Sequence, residues 1–290
     1  MFQLSQYAFA AAFAALAIAV VLYLVTVAGP RSVRLMSAAG VGEFEAPFEE
    51  PQWQATGRYA TILTVNAFAF LSASLVFRTI ASGHGPFSNM YEFSVAFGWG
   101  AVATYLYFEF KYHMRVLALF VLPVALGLLA YATTVPSKIE PLVPALQNST
   151  LLTVHVAVAV LAYGAFTVAF GAAVLYLVQN DSNGRRMPRR EVLDEVGYKA
   201  VMVGFPLLAL VIILGALWAE IAWGSYWTWD PKETASLMTW LIYGGYLHAR
   251  VMRGWRGQRS AMLLIAGFGA TLFTYYGNLF FGGLHSYGGS

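Results

Sequence analysis

Tryptophan is concentrated in one short segment of the sequence, which makes that segment the first candidate for ligand chemistry. Four of the eight tryptophans lie within twelve residues: Trp218, Trp223, Trp227 and Trp229. An aromatic belt at a membrane boundary explains one or two tryptophans per helix end. It does not explain a loop that contains Trp223, Tyr226, Trp227 and Trp229 together with the small residues Gly224 and Ser225. Because flat, stiff side chains with a polar edge suit planar ligands, the segment favours a porphyrin or quinone surface.

Two histidines, His155 and His285, are expected at the same depth as this segment. His155 lies near the start of one long apolar stretch, and His285 follows the last one. Neutral imidazoles on opposite sides of a planar aromatic site are natural axial ligands for haem iron. For either residue alone, an interfacial histidine hydrogen-bonded to solvent is the better interpretation. Together, with the tryptophan-rich segment between them in sequence, they favour ligation.

The remaining histidines have different surroundings. His248 follows Glu233 by fifteen residues, which is about 22 Å along a helix. An ionisable side chain inside a span is costly and suggests a function, although a histidine reaching the cytoplasmic interface is the alternative. His84 lies among Gly and Pro residues that predict a turn and is expected to shape the site. His113 lies in a short basic loop and is interpreted as ordinary.

The segment ends in a predicted helix start. Asp230 can cap the helix, Pro231 fits its first position, and Glu233 completes a capping box. This structural role competes with a ligand-contact role for Asp230 and Glu233. The helix N-terminus, with Lys232 beside it, would favour an anionic group such as a haem propionate.

Eight apolar stretches must position these residues. They cover approximately residues 5–28, 58–78, 90–109, 115–132, 151–178, 200–221, 233–252 and 260–281. Hydrophobic residues make up 59% of the 290 residues and charged residues 11%, whereas about 25% charged is usual in soluble domains. The sequence therefore predicts an all-α polytopic membrane bundle of about eight transmembrane helices, as one domain over 1–290. The fourth stretch contains Pro123 and is predicted to be kinked rather than re-entrant.

The positive charges predict the orientation. Of the 17 Lys and Arg residues, all but Arg78, Lys138 and Lys232 fall on one side of the predicted spans. By the positive-inside rule this side is cytoplasmic, both termini are outside, and segment 222–232 is external. The net charge of +3 is therefore a topology signal rather than evidence for nucleic-acid binding. The absence of cysteine excludes a disulfide framework, a thiolate metal site and a C-x-x-C-H haem attachment.

The segment Trp223 to Glu233 resembles the tryptophan-rich "WWD" signature of haem-handling proteins in cytochrome c biogenesis. Segments 240–250 and 278–287, segment 83–92 with His84, and His155 are similar to the CcsA (ResC) branch of that group. The resemblance covers most of the chain from about residue 60 onward.

The resemblance implies a partner and a reaction. Members of this branch work with a second membrane protein, CcsB (ResB), and together they carry haem b across the membrane. They present it outside to an apocytochrome c, whose C-x-x-C-H cysteines form thioethers with the haem vinyls. The expected location is the bacterial plasma membrane or the thylakoid membrane, with the haem site on the periplasmic or lumenal side.

The resemblance also implies roles for individual residues. His155 and His285 would be the external haem-iron ligands, and a set of four residues would hold the macrocycle: Trp223, Trp227, Trp229 and Asp230. His248 would belong to an inner haem site whose other ligand comes from CcsB. No catalytic residue is assigned, because the client's thiols react and a haem lyase need only position them.

Three alternatives remain open. A CcmC-like protein would load a haem chaperone without ligation, but eight spans rather than six, and the ending at 284–287, count against it. A cytochrome b or quinone-binding subunit usually holds haem between histidine pairs inside the bundle, and here only His248 is well inside. A transporter for another substrate would be expected to show paired broken helices, which the sequence lacks.

Overall fold

The computed structural model describes residues 1–28, 52–139, 142, 146–147, 149–179, 188–277 and 280–285. Within these residues the protein has eight α-helices and one 3-10 helix, Arg115–Leu117, and no β-strand. The α-helices are α1 (Phe2–Ala28), α2 (Gln52–Ser82), α3 (Met90–Tyr112), α4 (Ala118–Ala132), α5 (Ser149–Val178), α6 (Arg190–Trp223), α7 (Pro231–Arg253) and α8 (Gln258–Tyr276). Each predicted apolar stretch coincides with one helix, so the all-α prediction is confirmed. The intervals between the predicted stretches at 29–57, 133–150 and 179–199 lie partly outside the described residues.

Three helix ends differ most from the prediction. α2 begins at Gln52 rather than near residue 58. α6 begins at Arg190 rather than near residue 200, because a polar, charged sequence extends the helix beyond its apolar part. α8 ends at Tyr276 rather than near 281, and residues 280–285 form turns. The fourth stretch is a continuous helix through Pro123, as expected for a span rather than a re-entrant loop.

Five helical segments are long and apolar enough to cross a membrane: Phe2–Ala28, Ala55–Ser82, Arg115–Ala132, Thr150–Val178 and Arg190–Trp223. Helices α3, α7 and α8 have 23, 23 and 19 residues, which is also sufficient at about 1.5 Å per residue, but they are more polar. Part of this polarity is hidden from the surroundings, since Glu92, Glu109 and Arg250 are buried. The architecture is therefore that of a membrane helix bundle.

Helix α5 lies at the centre of the bundle, where it contacts α3, α4, α6 and α8. Glycines allow the closest approach. A Cβ on Gly164 of α5 would lie 2.6 Å from the backbone oxygen of Gly100 in α3. Small residues of this kind let helix backbones pack against each other within membranes. The position of α5, and of the residues it carries, is therefore fixed by backbone packing.

Buried ion pairs hold the two ends of the bundle. At one end, Arg78 of α2 donates a hydrogen bond from Nε to Oε1 of Glu92 in α3 at 2.7 Å, and both side chains are buried. At the other end, Arg250 of α7 donates from Nη1 to Oδ2 of Asp194 in α6 at 2.6 Å. We call the end that contains the start of α5, segment 218–232 and residues 280–285 the Trp end.

Candidate functional site

A cavity at the Trp end contains most of the chemistry predicted from the sequence. Its walls come from α3, α5, α6, α7 and α8, from the loops that precede α3, α5 and α7, and from the segment after α8. Its apolar lining includes Phe93, Phe97, Leu152 and Val156, and its polar or aromatic lining includes His155, Tyr163, Trp218, Trp227, Lys232, Glu233 and His285. A largely apolar cavity with a few convergent polar groups is the usual form of a cofactor or ligand site. We call it the Trp cavity.

His155 enters the Trp cavity from the second turn of α5. Its imidazole lies against Gly215 of α6, where a Cβ would be only 3.0 Å from Cε1 of the ring. Among the described residues, no partner of normal hydrogen-bond geometry reaches its buried Nδ1. The close contact with Gly215 therefore contributes to the placement of the ring.

His285 enters the same cavity from the segment that follows α8. Its Nδ1 lies 2.8 Å from Oδ1 of Asp230, and its ring packs against Trp223 and Trp218 with centroid separations of 4.9 and 5.7 Å. Burial, chiefly, and the neighbouring Lys232 ammonium lower the pKa of His285 to about 4, although Asp230 acts in the opposite direction. The imidazole is therefore neutral near pH 7, and Nδ1–H donates to the carboxylate.

Asp230 has both of the roles that competed in the sequence interpretation. Oδ1 accepts hydrogen bonds from the backbone N–H of Lys232, as a helix cap, and from His285. Oδ2 accepts from the backbone N–H of Leu284 at 2.7 Å. Burial alone would raise the pKa of Asp230, but these hydrogen bonds and the proximity of His285 outweigh it and keep the pKa below its usual value. The carboxylate thus joins the start of α7 to the His285 segment.

The capping box predicted for Asp230 and Glu233 is confirmed. Glu233 Oε2 accepts hydrogen bonds from the backbone N–H of Thr228, at 2.8 Å, and of Asp230, at 3.2 Å. These contacts fold residues 228–230 back onto α7. The first turn of α7, including Lys232, is thereby held at the cavity wall.

The tryptophans occupy different positions. Trp227 and Trp218 line the cavity, whereas Trp223 lies behind His285 and packs edge-on against Trp218 at 4.8 Å. Trp229 is 69% exposed, has a positive φ of 58°, and packs edge-on against Trp227 at 5.7 Å. Of the three tryptophans predicted to hold a macrocycle, the structure thus places Trp227 in the cavity wall and the other two behind or beside it.

Two predicted site residues lie elsewhere. His84 is in the loop before α3, where its Nδ1 is 2.8 Å from the backbone oxygen of Gly85, and it does not line the Trp cavity. His248 is exposed on the outer side of α7, sixteen residues beyond Lys232, or about 24 Å along the helix. The structure therefore brings His155 and His285 together and leaves His84 and His248 outside.

Sequence reasoning missed two glycines that shape the site. Gly215 has no side chain, which leaves room for the His155 ring against α6. Gly283 allows the chain to approach Asp230, because a Cβ there would overlap Oδ2 of Asp230 and lie 3.0 Å from Cδ of Pro231. A glycine in an apolar helix gives no local signal of such a contact. The Gly-Gly pair at 282–283, directly before His285, is the clearer sequence signal of the two.

Comparison with known proteins identifies the family of the chain. The family described as "Cytochrome C assembly protein" matches residues 87–285. The cytochrome c biogenesis protein CcsA of Guillardia theta is 37% identical over 253 residues, covering 78% of this chain and 84% of that protein. CcsA of Synechococcus sp. (strain CC9311) is 38% identical over 272 residues, covering 80% and 89%.

A solved structure has the same fold. The cytochrome c haem lyase CcmF superposes with a TM-score of 0.70 at 18% identity, covering 95% of this chain and 46% of that one. The chain thus spans about half the length of that lyase. The matched region of the family contains α3 to α8, the Trp cavity and His285. The chain therefore belongs to the cytochrome c assembly protein family, and within it to the CcsA cytochrome c biogenesis proteins.

Proposed function

We propose that this protein binds haem b in the Trp cavity and presents it for attachment to apocytochrome c, as the haem lyase component of cytochrome c maturation. The observation that carries the proposal is the convergence of His155 and His285 on one cavity from two separate elements. Two neutral imidazoles are a natural ligand pair for haem iron. Trp218 and Trp227 supply the flat apolar wall that a macrocycle requires.

The residues present fit haem in two further respects. The hydrogen bond from Nδ1 of His285 to Asp230 fixes the tautomer, so that iron ligation by His285 uses Nε2. A carboxylate behind a metal-bound histidine orients the ring and raises its basicity. His155, on α5, lines the same cavity, and its ring is held against Gly215 of α6. Both rings are held before any ligand arrives.

The proposed reaction adds each client thiol across a haem vinyl group. A carbon–sulfur bond forms, and the thiol proton ends on the other vinyl carbon. The client cysteines are the nucleophiles, so the role of this chain is to hold the macrocycle and exclude water. Positioning of this kind can provide much of the rate enhancement. We propose that Trp229 contacts the client peptide, and its exposure beside Trp227 supports this.

The remaining predicted roles require the partner protein. We propose that His248 contributes to an inner haem site completed by a CcsB (ResB)-like membrane protein. In support, His248 lies on the outer side of α7 together with exposed Leu241 and Met252, where a second protein can reach it. The Trp end would face the periplasm or the lumen, in agreement with the distribution of basic residues.

The first experiment tests haem ligation. The protein is purified with its CcsB-like partner, and absorption spectra are recorded for the His155→Gly, His285→Gly and double variants. We expect each single variant to lose bis-histidine ligation and to regain it with added imidazole. His113→Gly, in the loop after α3, is the matched control and should keep the wild-type spectrum. An unchanged spectrum in the double variant would remove the proposed site.

A second experiment separates a lyase from a haem loader. The intact pair of proteins is tested for restoring holocytochrome c in cells that lack their own maturation system. Covalent haem in the client, detected after denaturation, supports the lyase. Haem binding without covalent product would favour the CcmC-like alternative.

A further inference from the structure

Lys232 occupies an unusual place in the Trp cavity. It is the second residue of α7, and its side chain lines the same cavity as His155 and His285. Among the described lining residues it is the only lysine or arginine. The two imidazoles beside it carry no charge in their ligand form. The ammonium of Lys232 is thus the main source of positive charge in the cavity.

This charge has no full partner within the described residues. The ammonium lies 5.7 Å from the centroid of the Phe93 ring, and no described side chain or backbone oxygen accepts a hydrogen bond from it. The two nearby carboxylates are already engaged. Asp230 accepts from the backbone of residues 232 and 284 and from His285, and Glu233 accepts from the backbone of residues 228 and 230.

A partly buried cation in a mostly apolar cavity is costly unless an anion compensates it. The backbone N–H groups at the start of α7 add further positive potential at the same wall. Capping by Asp230 compensates those N–H groups, but it does not provide a hydrogen bond to the ammonium. The cavity is therefore complementary to a ligand that is flat, apolar and negatively charged at one edge.

We infer that Lys232 binds a carboxylate of the ligand and makes the Trp cavity selective for porphyrins with ionised propionates. The inference rests on the proposed function, since it assumes that haem occupies this cavity. Lys232 is then a specificity-determining residue: it fixes which edge of the macrocycle faces α7, and so which edge the client peptide reaches.

The test compares two porphyrins that differ only at the propionate groups, which are ionised in one and methyl esters in the other. Iron protoporphyrin IX and its dimethyl ester share the iron, the vinyl groups and the plane. Both are titrated into the apo-protein, purified with its partner, and followed by absorption. A charge-assisted hydrogen bond predicts that wild-type protein binds the free acid about ten- to a hundred-fold more tightly than the ester.

The variants identify the residue responsible. Lys232→Met should lose this preference by weakening binding of the free acid while leaving the ester unchanged, and Lys232→Arg should retain it. Lys138→Met, at an exposed lysine of the same end, is the matched control and should behave as wild type. Equal binding of both porphyrins by wild type, or equal weakening of both by Lys232→Met, would overturn the inference.

The outcome is separable from that of the proposed function. If the ester binds with bis-histidine ligation that depends on His155 and His285, the haem site stands even where the Lys232 inference fails. If the binding of neither porphyrin depends on His155 and His285, the proposed haem site itself is wrong, whatever the effect of Lys232. Should Lys232→Met lower the thermal stability of the protein, Lys232→Gln provides the same comparison with a polar side chain.

Discussion

The imidazole of His285 and the carboxylate of Asp230 are joined by a 2.8 Å hydrogen bond between residues 55 positions apart in the sequence. The same carboxylate caps α7 and accepts a hydrogen bond from the backbone N–H of Leu284. One side chain thus sets the start of a helix, the path of a separate segment and the tautomer of a proposed iron ligand.

Replacing Asp230 with asparagine should weaken haem binding without removing the helix cap. Asparagine caps helices as well as aspartate does, but it lacks the charge and cannot accept hydrogen bonds through both side-chain atoms. Loss of such a carboxylate partner lowers metal affinity by about ten- to a hundred-fold. Absorption titration measures the affinity, and redox titration should show a higher haem reduction potential, because a neutral partner makes the imidazole a poorer donor.

The control for this variant is Glu233→Gln, which alters the capping box but leaves the His285 contact. It should change haem affinity much less than Asp230→Asn. Equal effects of the two variants would mean that Asp230 acts only through the helix start.

Replacing Gly215 with alanine should displace the His155 ring. The new Cβ would lie 3.0 Å from Cε1 of the ring, so the ring must shift away from α6 and into the Trp cavity, out of the position proposed for ligation. We expect loss of the bis-histidine spectrum, as in His155→Gly. Gly245→Ala on α7, where a Cβ meets nothing within 4 Å, is the matched control and should bind haem normally. A Gly215→Ala protein with an unchanged spectrum would contradict the proposed ligand position.

Acid should release haem only near pH 4. A histidine of ordinary pKa, about 6.5, would lose its ligand form below that pH, but His285 has its pKa lowered to about 4. Its protonation therefore competes with iron only at that lower pH. Because the unfolded chain binds this proton more readily between about pH 6.5 and 4, folding stability also declines as pH falls through this window. Spectra and thermal unfolding from pH 8 to 3.5 measure both effects.

The Lys232→Met variant should change the pH at which acid releases haem. Removing the ammonium removes one cause of the lowered pKa of His285, so acid release should move to higher pH. A shift to lower pH, or none, would show that the charge of Lys232 does not act on His285.

Removing one partner of the buried pair between Arg250 and Asp194 should destabilise the protein, because the other charge is left buried without its partner. The two side chains are 6% and 10% exposed, and removing one partner of a buried pair typically costs about 3–5 kcal/mol. Arg250→Met should therefore lower the free energy of unfolding strongly in detergent. The control is Lys199→Met, which breaks an exposed pair with Glu195 and should have an effect within about 1 kcal/mol.

Much of the fold could be predicted from local sequence. Apolar stretches of spanning length identify eight helices, and the Asp230–Glu233 spacing identifies the capping box. Helix ends were predicted less well where a helix continues into a polar sequence, because the prediction used apolar stretches alone. α6 extends ten residues before its apolar part because charged residues such as Arg190 and Asp194 are compatible with a helix outside the apolar layer.

The site was predictable only in part. The residue types that bind haem stood out by composition, and the structure brings His155 and His285 to one cavity. The contacts that hold them did not stand out, since Gly215 and Gly283 matter only through residues distant in sequence. Depth along a helix placed His248 near the opposite end, but the face it occupies on α7 depends on how α7 packs against α6 and α8, which spacing alone does not reveal.

The two proposed ligands, His155 and His285, are held in place by different kinds of contact. His155 belongs to the central helix, which is held by backbone packing on several sides. His285 belongs to a short segment of turns that Asp230 holds by two hydrogen bonds. If haem binds here as proposed, loss of the Asp230 contacts would loosen the hold on His285 without disturbing the packing that holds His155. Asp230, at the start of α7, therefore controls the position of one proposed ligand and not of the other.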